Sequence, residues 1–357
     1  MSEIDVTAII RTLKNIAMKK KLLSLFLCAI CFSFAGYAQA SGSKTGQTPI
    51  DTSFLLKVNG VEQYLEIKGV SRTNPVLLFI HGGPEWPATP MIRKFNQDLT
   101  KNFVLVSWDQ RNCGKSKTDT SAKLTPGLYV EDAHMVTQYL KKKFHVNKIF
   151  VACHSWGTII GINLILKYPG DYSAYIGMGQ FVNPNKSEAL AHSFVAEQAK
   201  LNKDTATLNA LKTIPFSEEH GYANGFDDLM KFSMLSNRYS QSNEVAGLPD
   251  PTQLYPDYSK LDWMTPVMTY GKTLFNYMNA MNIDFSAIKE FKVPIYFFIG
   301  RYDRTTSAVV AKQYFETIKA PKKELFWFEH SGHSPNWEEP ALFYQRVLLV
   351  AADNKIN

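Results

Sequence analysis

Apolar runs and helix-period patterns alternate along most of this 357-residue chain. Residues 54–58 and 61–67 flank Asn59-Gly60, a pair that favours a two-residue hairpin turn. Further strands are predicted where short runs are almost wholly apolar, at residues 75–80, 103–108, 149–151, 172–179, 293–300 and 324–328. Helices are predicted where apolar residues recur at helical spacing, at residues 91–101, 126–144, 307–318 and 340–352. This alternation is typical of a mostly parallel, twisted sheet with helices on both faces.

The alternation stops between residues 183 and 289, where polar helical patterns and turn residues dominate. We therefore predict a mostly helical insertion that divides one α/β core into residues 54–182 and residues 290–357. Residues 41–53 are polar and are predicted to be a linker.

Residues 1–40 have the pattern of a secretory signal with an upstream extension at residues 1–17. Three lysines follow Met18, an apolar segment covers residues 22–35, and the sequence AQA at residues 38–40 is a small-x-small cleavage site. A membrane anchor is the alternative, but the apolar segment is short for a bilayer span. We expect the signal to be removed, leaving a periplasmic or secreted protein without stable membrane association.

Charge and cysteine content narrow the classes of partner. The formal net charge is +7, and the first 40 residues contribute five basic and two acidic side chains to it. No basic stripe with interleaved aromatic residues is present, so nucleic acid is not an expected partner.

After removal of the signal, two cysteines remain, Cys113 and Cys153. They are predicted to lie at strands separated by a third strand, too far apart for a relaxed disulfide, so we expect two free thiols. The oligomeric state is left open.

The segment KIFVACHSWGTIIG at residues 148–161 predicts a strand, a sharp turn and a helix. A serine at the tip of such a turn is exposed above the sheet, which makes Ser155 a candidate nucleophile and the Trp156 amide a candidate oxyanion donor. The usual pattern is G-x-S-x-G, and Cys153 occupies the place of its first glycine. The alternative is an ordinary turn between a buried strand and a helix.

Three other segments follow predicted strands and carry matching chemistry. HGGP begins at His81, and its glycines allow the backbone to expose the Gly83 amide to the same oxyanion. Asp303 follows the strand at 293–300, where it can accept a hydrogen bond from an imidazole and fix its tautomer, or simply cap a turn. His333 follows the strand at 324–328 and is preferred as the general base over His330, which still belongs to the strand end. No His/Cys cluster has metal-ligand spacing, so a metal site is not expected.

The order Ser155, Asp303, His333 is that of the α/β-hydrolase arrangement. Within that fold the chain resembles the proline iminopeptidase family of S33-type serine peptidases. The motifs that carry the resemblance are HGGP at 81–84, DQRNCGKS at 109–116, HSWG at 154–157, GRYD at 300–303 and SGHS at 331–334. The resemblance implies an α/β-hydrolase core with a helical cap and cofactor-free hydrolysis of an amide or ester. It also implies Ser155 as nucleophile, His333 as base and Asp303 as its orienting acid, with Gly83 and Trp156 as oxyanion donors.

The chain departs from the family pattern at several positions. Asn112 and Glu85 stand where the family has glycine, and residues 183–288 contain no Trp-Glu pair of the kind that binds a substrate amine in the family. Glu85 is a candidate partner for a substrate ammonium group, with a solvated turn residue as the alternative. Other acids of the insertion are further candidates: Glu218, Glu219, Asp227 and Asp228.

The sequence therefore predicts an exported serine hydrolase that removes N-terminal residues, with proline among its candidate substrates, from short peptides through an acyl-enzyme. A carboxylesterase or lipase-like enzyme that uses the same three residues is the alternative. The aromatic residues and methionines of the insertion favour that alternative, because they can line an acyl pocket as well as a core. A third hypothesis is a hydrolase fold that binds a ligand or partner without turnover.

Overall fold

In this computed structural model, residues 48–239 and 249–354 are described, and they contain an eight-stranded sheet. The sheet strands are β1 (Ile50–Val58), β2 (Val61–Gly69), β3 (Val76–Ile80), β4 (Val104–Trp108), β5 (Ile149–His154), β6 (Tyr172–Met178), β9 (Ile295–Gly300) and β10 (Lys323–Phe328). Their spatial order is β1-β2-β4-β3-β5-β6-β9-β10. β2 is antiparallel to β1 and β4, and every other neighbouring pair is parallel. The predicted mostly parallel sheet is confirmed.

The first hairpin forms as the Asn59-Gly60 pair predicts, with Val58 opposite Val61 and both turn residues at positive φ. The strand begins at Ile50, however, so the last residues of the predicted linker pair with β2. Asp132, buried on the first long helix, accepts hydrogen bonds from Asn59 at 2.6 Å and Gln63 at 2.8 Å, which ties the hairpin to the core.

Helices pack on both faces of the sheet. The core helices are α1 (Thr89–Phe95), α2 (Pro126–Phe144), α3 (Trp156–Lys167), α10 (Ala308–Thr317), α11 (Pro335–Glu338) and α12 (Pro340–Asp353). α2, α3 and α10 cover one apolar face, whereas α1 and α12 cover the other. The predicted helix at 91–101 is interrupted at Asn96, whose buried side-chain amide donates to the Asn336 carbonyl oxygen at 2.7 Å; a 3₁₀ turn then continues to Lys101.

The insertion between β6 and β9 is mostly helical. It contains α4 (Pro184–Leu201), α5 (Thr205–Leu211), α6 (Phe226–Ser236), α7 (Pro256–Ser259), α8 (Met264–Pro266) and α9 (Lys272–Met281), with a π-helical turn at Val267–Gly271 and two short strands, β7 (Phe216–Ser217) and β8 (Gly221–Tyr222). It has a small apolar core of its own around Val195 and Phe232. Among the described helices, none combines the length and apolarity needed to cross a bilayer.

The close approach of α3 to the sheet fixes the turn that joins β5 to α3. A Cβ atom at Gly157 would lie 2.3 Å from the Ile80 carbonyl oxygen and 2.7 Å from that of His81. One turn later, a Cβ at Gly161 would lie 2.3 Å from Cys153 Sγ. Gly161 therefore makes room for the cysteine that replaces the usual glycine before Ser155. Cys113 and Cys153 are both buried free cysteines, with Cys113 in the loop after β4.

Replacing Gly157 by alanine should destabilise the fold by about 2–3 kcal/mol, because the added methyl group meets backbone rather than a movable side chain. Gly170→Ala is the matched control, since no heavy atom lies within 4 Å of its Cβ position. Chemical unfolding of both variants should show a change of less than about 0.5 kcal/mol for the control. Equal losses in the two variants would contradict this account of the turn.

Candidate active site

Ser155 occupies the sharp turn between β5 and α3 with φ 51° and ψ −120°, a backbone conformation that non-glycine residues rarely adopt. Its amide donates to the Met178 carbonyl oxygen at 2.9 Å, so the strained turn is fixed against the end of β6. The Ser155 side chain is partly exposed in a pocket, whereas Trp156 directly after it is buried.

His333 and Asp303 are in contact. His333 Nδ1 lies 3.1 Å and 3.2 Å from the two carboxylate oxygens of Asp303. Asp303 is buried and also accepts from the amides of Thr305 and Thr306 and from the Thr306 hydroxyl. Burial alone would raise the pKa of Asp303, but the charge and hydrogen bond of His333, together with the Thr306 bonds, lower it below its ordinary value. An ionised Asp303 favours the imidazole tautomer with the proton on Nδ1.

Ser155 and His333 meet the same short stretch at the end of β6. Gly179, which follows the Met178 carbonyl bound by Ser155, packs so closely on the His333 ring that a Cβ there would lie 2.7 Å from Cε1. His154 Nε2 lies 3.0 Å from the His333 carbonyl oxygen, which ties the histidine loop to the serine turn. His330, the competing histidine, is exposed, and its amide donates to Glu339. The structure therefore brings His333 to Asp303.

The HGGP loop lies directly beside the serine turn. A Cβ at Gly82 would meet Ser155 Cβ at 3.0 Å, and Gly83 has φ +121°, so both positions depend on glycine. His81 is buried beneath the loop, with Nδ1 at 2.7 Å from the Gly82 carbonyl oxygen and Nε2 accepting from the Gln110 amide at 3.2 Å. Burial lowers the pKa of His81 to about 4, so it is a neutral support for the loop.

One pocket contains Ser155, Gly83 and Trp156 together. Residues of the helical insertion form its opposite wall, and they include Asn185, Glu188, Tyr222, Leu229, Phe275, Met278 and Asn279. This wall is mostly apolar, and Glu188 is its acidic member among the described lining residues. No group of three His, Cys, Asp or Glu side chains in residues 48–239 and 249–354 is placed to hold a metal ion.

Glu188 is the functional candidate that the sequence analysis missed. Its Oε2 accepts from the Tyr222 hydroxyl at 2.6 Å, and this hydroxyl lies 3.2 Å from His192 Nε2. The His192 ring is stacked between Phe216 and Phe232, which holds the group in place. Burial raises the pKa of Glu188 to about 7, although the Tyr222 hydrogen bond opposes the shift. The sequence feature that could have identified Glu188 is its position, about one turn into the first helix after β6.

The acids that the sequence analysis named for a substrate amine lie elsewhere. Glu85 is buried, accepts from the Tyr129 hydroxyl, and is not among the residues that line the pocket with Ser155. Two acids of the insertion are exposed (Glu218 and Glu219), and two are paired with lysines (Asp227 with Lys272, and Asp228 with Lys231).

Comparison with known proteins identifies the family of this chain. A family model described as "Serine aminopeptidase, S33" matches residues 72–340. A probable aminopeptidase of Bacillus subtilis (strain 168) is 30% identical over 299 residues, covering 81% of this chain and 92% of the relative. A proline iminopeptidase of Heyndrickxia coagulans is 25% identical over 283 residues, covering 78% and 89%.

A solved structure shares the fold at low sequence identity. The proline iminopeptidase-related protein from Thermus thermophilus matches with a TM-score of 0.63 and 18% identity, covering 85% of this chain and 98% of that structure. The predicted α/β-hydrolase fold and the resemblance to S33-type serine peptidases are thereby confirmed. The chain is a hydrolase that belongs to the S33 serine aminopeptidase family.

Proposed function

We propose that this protein releases N-terminal residues, with proline among its candidate substrates, from short peptides through an acyl-enzyme on Ser155. The observation that carries the proposal is that one pocket holds both Ser155 and a carboxyl group, Glu188. Such a pocket can bind the ammonium group at one end of a substrate and present the first peptide bond to a hydroxyl at the other.

In the proposed reaction the Ser155 hydroxyl attacks the carbonyl carbon of the first peptide bond. His333 takes the hydroxyl proton on Nε2, because its Nδ1–H is donated to the ionised Asp303. His333 then gives the proton to the leaving amine, and the substrate's N-terminal residue stays on Ser155 as an ester. Water, deprotonated by His333, attacks this ester, releases the amino acid and restores the serine.

The amides of Gly83 and Trp156 are proposed to bind the oxyanion that forms in each tetrahedral intermediate. Both residues line the pocket with Ser155. The Trp156 amide belongs to the first turn of α3, where unpaired N–H groups and the helix dipole favour negative charge. These donors stabilise negative charge only as it develops. They therefore lower the free energy of the transition state more than that of the Michaelis complex, which is the condition for a faster reaction.

Glu188 is the proposed anchor for the substrate's amino group. Tyr222 occupies one of its oxygens and orients the carboxyl group. A bound ammonium group would favour the ionised form of Glu188, reversing the effect of burial on its pKa. Asn185 and Asn279 also line the pocket, and their side-chain amide oxygens can accept further hydrogen bonds from the ammonium group.

An ester hydrolase is the second candidate. The apolar side chains of Leu229, Phe275 and Met278 line the same pocket and would suit an acyl chain. Glu188 favours the first candidate, because an acyl chain without an amino group offers this carboxyl group no charged partner.

The proposed roles of Ser155, His333 and Asp303 predict losses in kcat of different size. Ser155→Ala and His333→Ala should lower kcat on prolyl arylamides by several orders of magnitude, and Asp303→Asn by about 10⁴-fold, because the histidine tautomer is lost. His330→Ala is the matched control and should stay within about twofold of the parent. Normal turnover by folded Ser155→Ala protein would disprove the mechanism.

Glu188→Gln should lower kcat/KM for prolyl arylamides by about 10- to 100-fold, the size of one hydrogen bond to a charged group. Hydrolysis of an acetyl ester without an amino group should change by less than about twofold, since nothing in that substrate pairs with the carboxylate. Glu197→Gln, an exposed acid on the same helix, is the control. Equal losses of Glu188→Gln on both substrates would favour a structural role for Glu188.

In the parent enzyme, KM for the arylamide should rise as pH falls below about 7, because Glu188 becomes protonated.

Export is the remaining part of the proposal, and it rests on the sequence of residues 1–40, which lie outside the described residues. The mature protein should begin at Ser41 and be recovered from the periplasm or the medium. Terminal sequencing of the purified protein tests this, with Ala40→Tyr as the variant that should block cleavage. A cytoplasmic protein that still carries residue 22 would contradict export.

A further inference from the structure

Glu85 combines three features that the proposed reaction leaves unexplained. It is 1% exposed, and its backbone has φ +66°, a region that side-chain-bearing residues rarely adopt. Its Oε1 accepts from the Tyr129 hydroxyl, whereas its Oε2 is buried without a hydrogen-bond partner. A strained residue with an unsatisfied buried oxygen persists only where the surrounding structure holds it in place, and such residues cluster at functional sites.

The Glu85 side chain connects the HGGP loop to the helix behind the serine turn. Glu85 lies two residues after Gly83, and Tyr129 belongs to α2. The Tyr129 ring packs edge-on against the Trp156 ring at 5.3 Å between centroids. One hydrogen bond and one ring contact therefore join the segments that supply the two proposed oxyanion donors.

A second path closes the connection on the other side. Trp156 Nε1 donates to Gln110 Oε1 at 2.9 Å, and Gln110 Nε2 donates to the His81 carbonyl oxygen at 3.0 Å. The loop that begins at His81 is thus held at its start through Gln110 and at its end through Glu85. If Glu85 moves, the end of the loop loses its link to α2.

We propose that Glu85 is a positioning residue that, as a neutral carboxylic acid bonded to Tyr129, holds the Gly83 amide in register with the Trp156 amide. This inference rests on the proposed function, since it assigns a role within the oxyanion site. It replaces the sequence-based interpretation of Glu85 as a partner for a substrate ammonium.

The electrostatics around Glu85 support the neutral form. Burial raises its pKa to about 8, although the Tyr129 hydrogen bond and the Arg111 charge oppose the shift. Burial also raises the pKa of Tyr129 and of Cys113 well above their ordinary values, so both stay neutral. With its lowered pKa of about 4, His81 is neutral between pH 6 and pH 10. The insertion packs beside Glu85 through Gly271, which has no titratable side chain.

Ionisation of Glu85 would therefore place a new negative charge beside the oxyanion loop as pH rises through about 8. For a group whose folded pKa is raised, the folded arrangement is favoured at low pH and loses stability as pH rises to the folded pKa. The charge would both strain the loop and oppose the developing oxyanion. The rate of attack by Ser155 should then fall on the alkaline side. If the rate depended on His333 alone, it would instead stay constant there.

The test measures the second-order rate at which a fluorophosphonate labels Ser155 between pH 6 and pH 10, with thermal unfolding followed at each pH. This probe has no amino group, so its reaction does not depend on pairing an ammonium group with Glu188. The parent rate should fall about tenfold from pH 7 to pH 9, as expected for a single group with a pKa of about 8. Glu85→Gln keeps the acceptor for Tyr129 and cannot ionise, so its rate should match the parent at pH 7 within a few-fold and stay level to pH 9.

Two further variants separate positioning from general stability. Tyr129→Phe keeps the ring contact with Trp156 but removes the hydrogen bond that lowers the pKa of Glu85, so the alkaline fall should move to higher pH. Glu85→Gly removes the anchor without strain, because glycine adopts positive φ freely, and should label at least about tenfold more slowly at pH 7.

Each contrary result has a distinct meaning. Absence of any Ser155-dependent labelling in folded parent protein would disprove the proposed function itself. Normal labelling with an alkaline fall that persists in Glu85→Gln, or unchanged labelling in Glu85→Gly, would overturn the positioning role alone. A loss in Glu85→Gln confined to prolyl arylamides would make Glu85 a substrate-binding group and would also overturn it.

Discussion

The close contact between α3 and the sheet is the constraint on which the rest of the site depends. Gly157 touches the backbone of β3 at Ile80, which leaves no space for any side chain. This approach forces the chain to turn within one residue, and Ser155 takes up the strain with φ 51°. The strained conformation of Ser155 persists because strands β3, β5 and β6 are buried on both sides and cannot move apart without exposing the core.

A buried ion pair holds the region behind this turn. Arg111 is fully buried, and its Nε and Nη2 donate to the two oxygens of Asp132 at 2.6 Å and 2.8 Å. Asp132 also accepts from Asn59 and Gln63, so the pair joins the first hairpin, the loop after β4 and α2. The net energy of such a pair is small because desolvation offsets attraction, but its geometry permits few alternatives. It thereby fixes α2, whose Tyr129 contacts both Trp156 and Glu85.

The sheet and the serine turn could be predicted because their signals are local. Buried strands are apolar runs, Asn59-Gly60 specifies its own turn, and parallel strands bring the segments after them to one edge. The break at Asn96 was not predictable from the local pattern, and the buried side chain of Asn96 donates its hydrogen bond to Asn336, 240 residues away. Glu188 was missed for a similar reason: its proposed role follows from the pocket that it lines together with Ser155, and helical periodicity in a mostly polar insertion does not specify which residues of α4 line that pocket.

Three acidic groups near the site show why residue type alone does not define a role. Asp303, Glu188 and Glu85 are all removed from bulk water to some degree, yet their pKa values diverge according to their partners. Asp303 has an imidazole and several hydrogen-bond donors, so its pKa is lowered and it remains ionised. Glu188 has one tyrosine hydroxyl and a pKa of about 7, so a cationic ligand can tip it to the charged form. Glu85 has one tyrosine hydroxyl, an unpartnered oxygen and a pKa of about 8, which suits a neutral structural acid. The hydrogen-bond donors therefore distinguish Asp303, which is ionised, from Glu188 and Glu85, whose pKa values are raised. The roles proposed for the two glutamates differ because Glu188 lines the pocket with Ser155 and Glu85 is buried behind the HGGP loop.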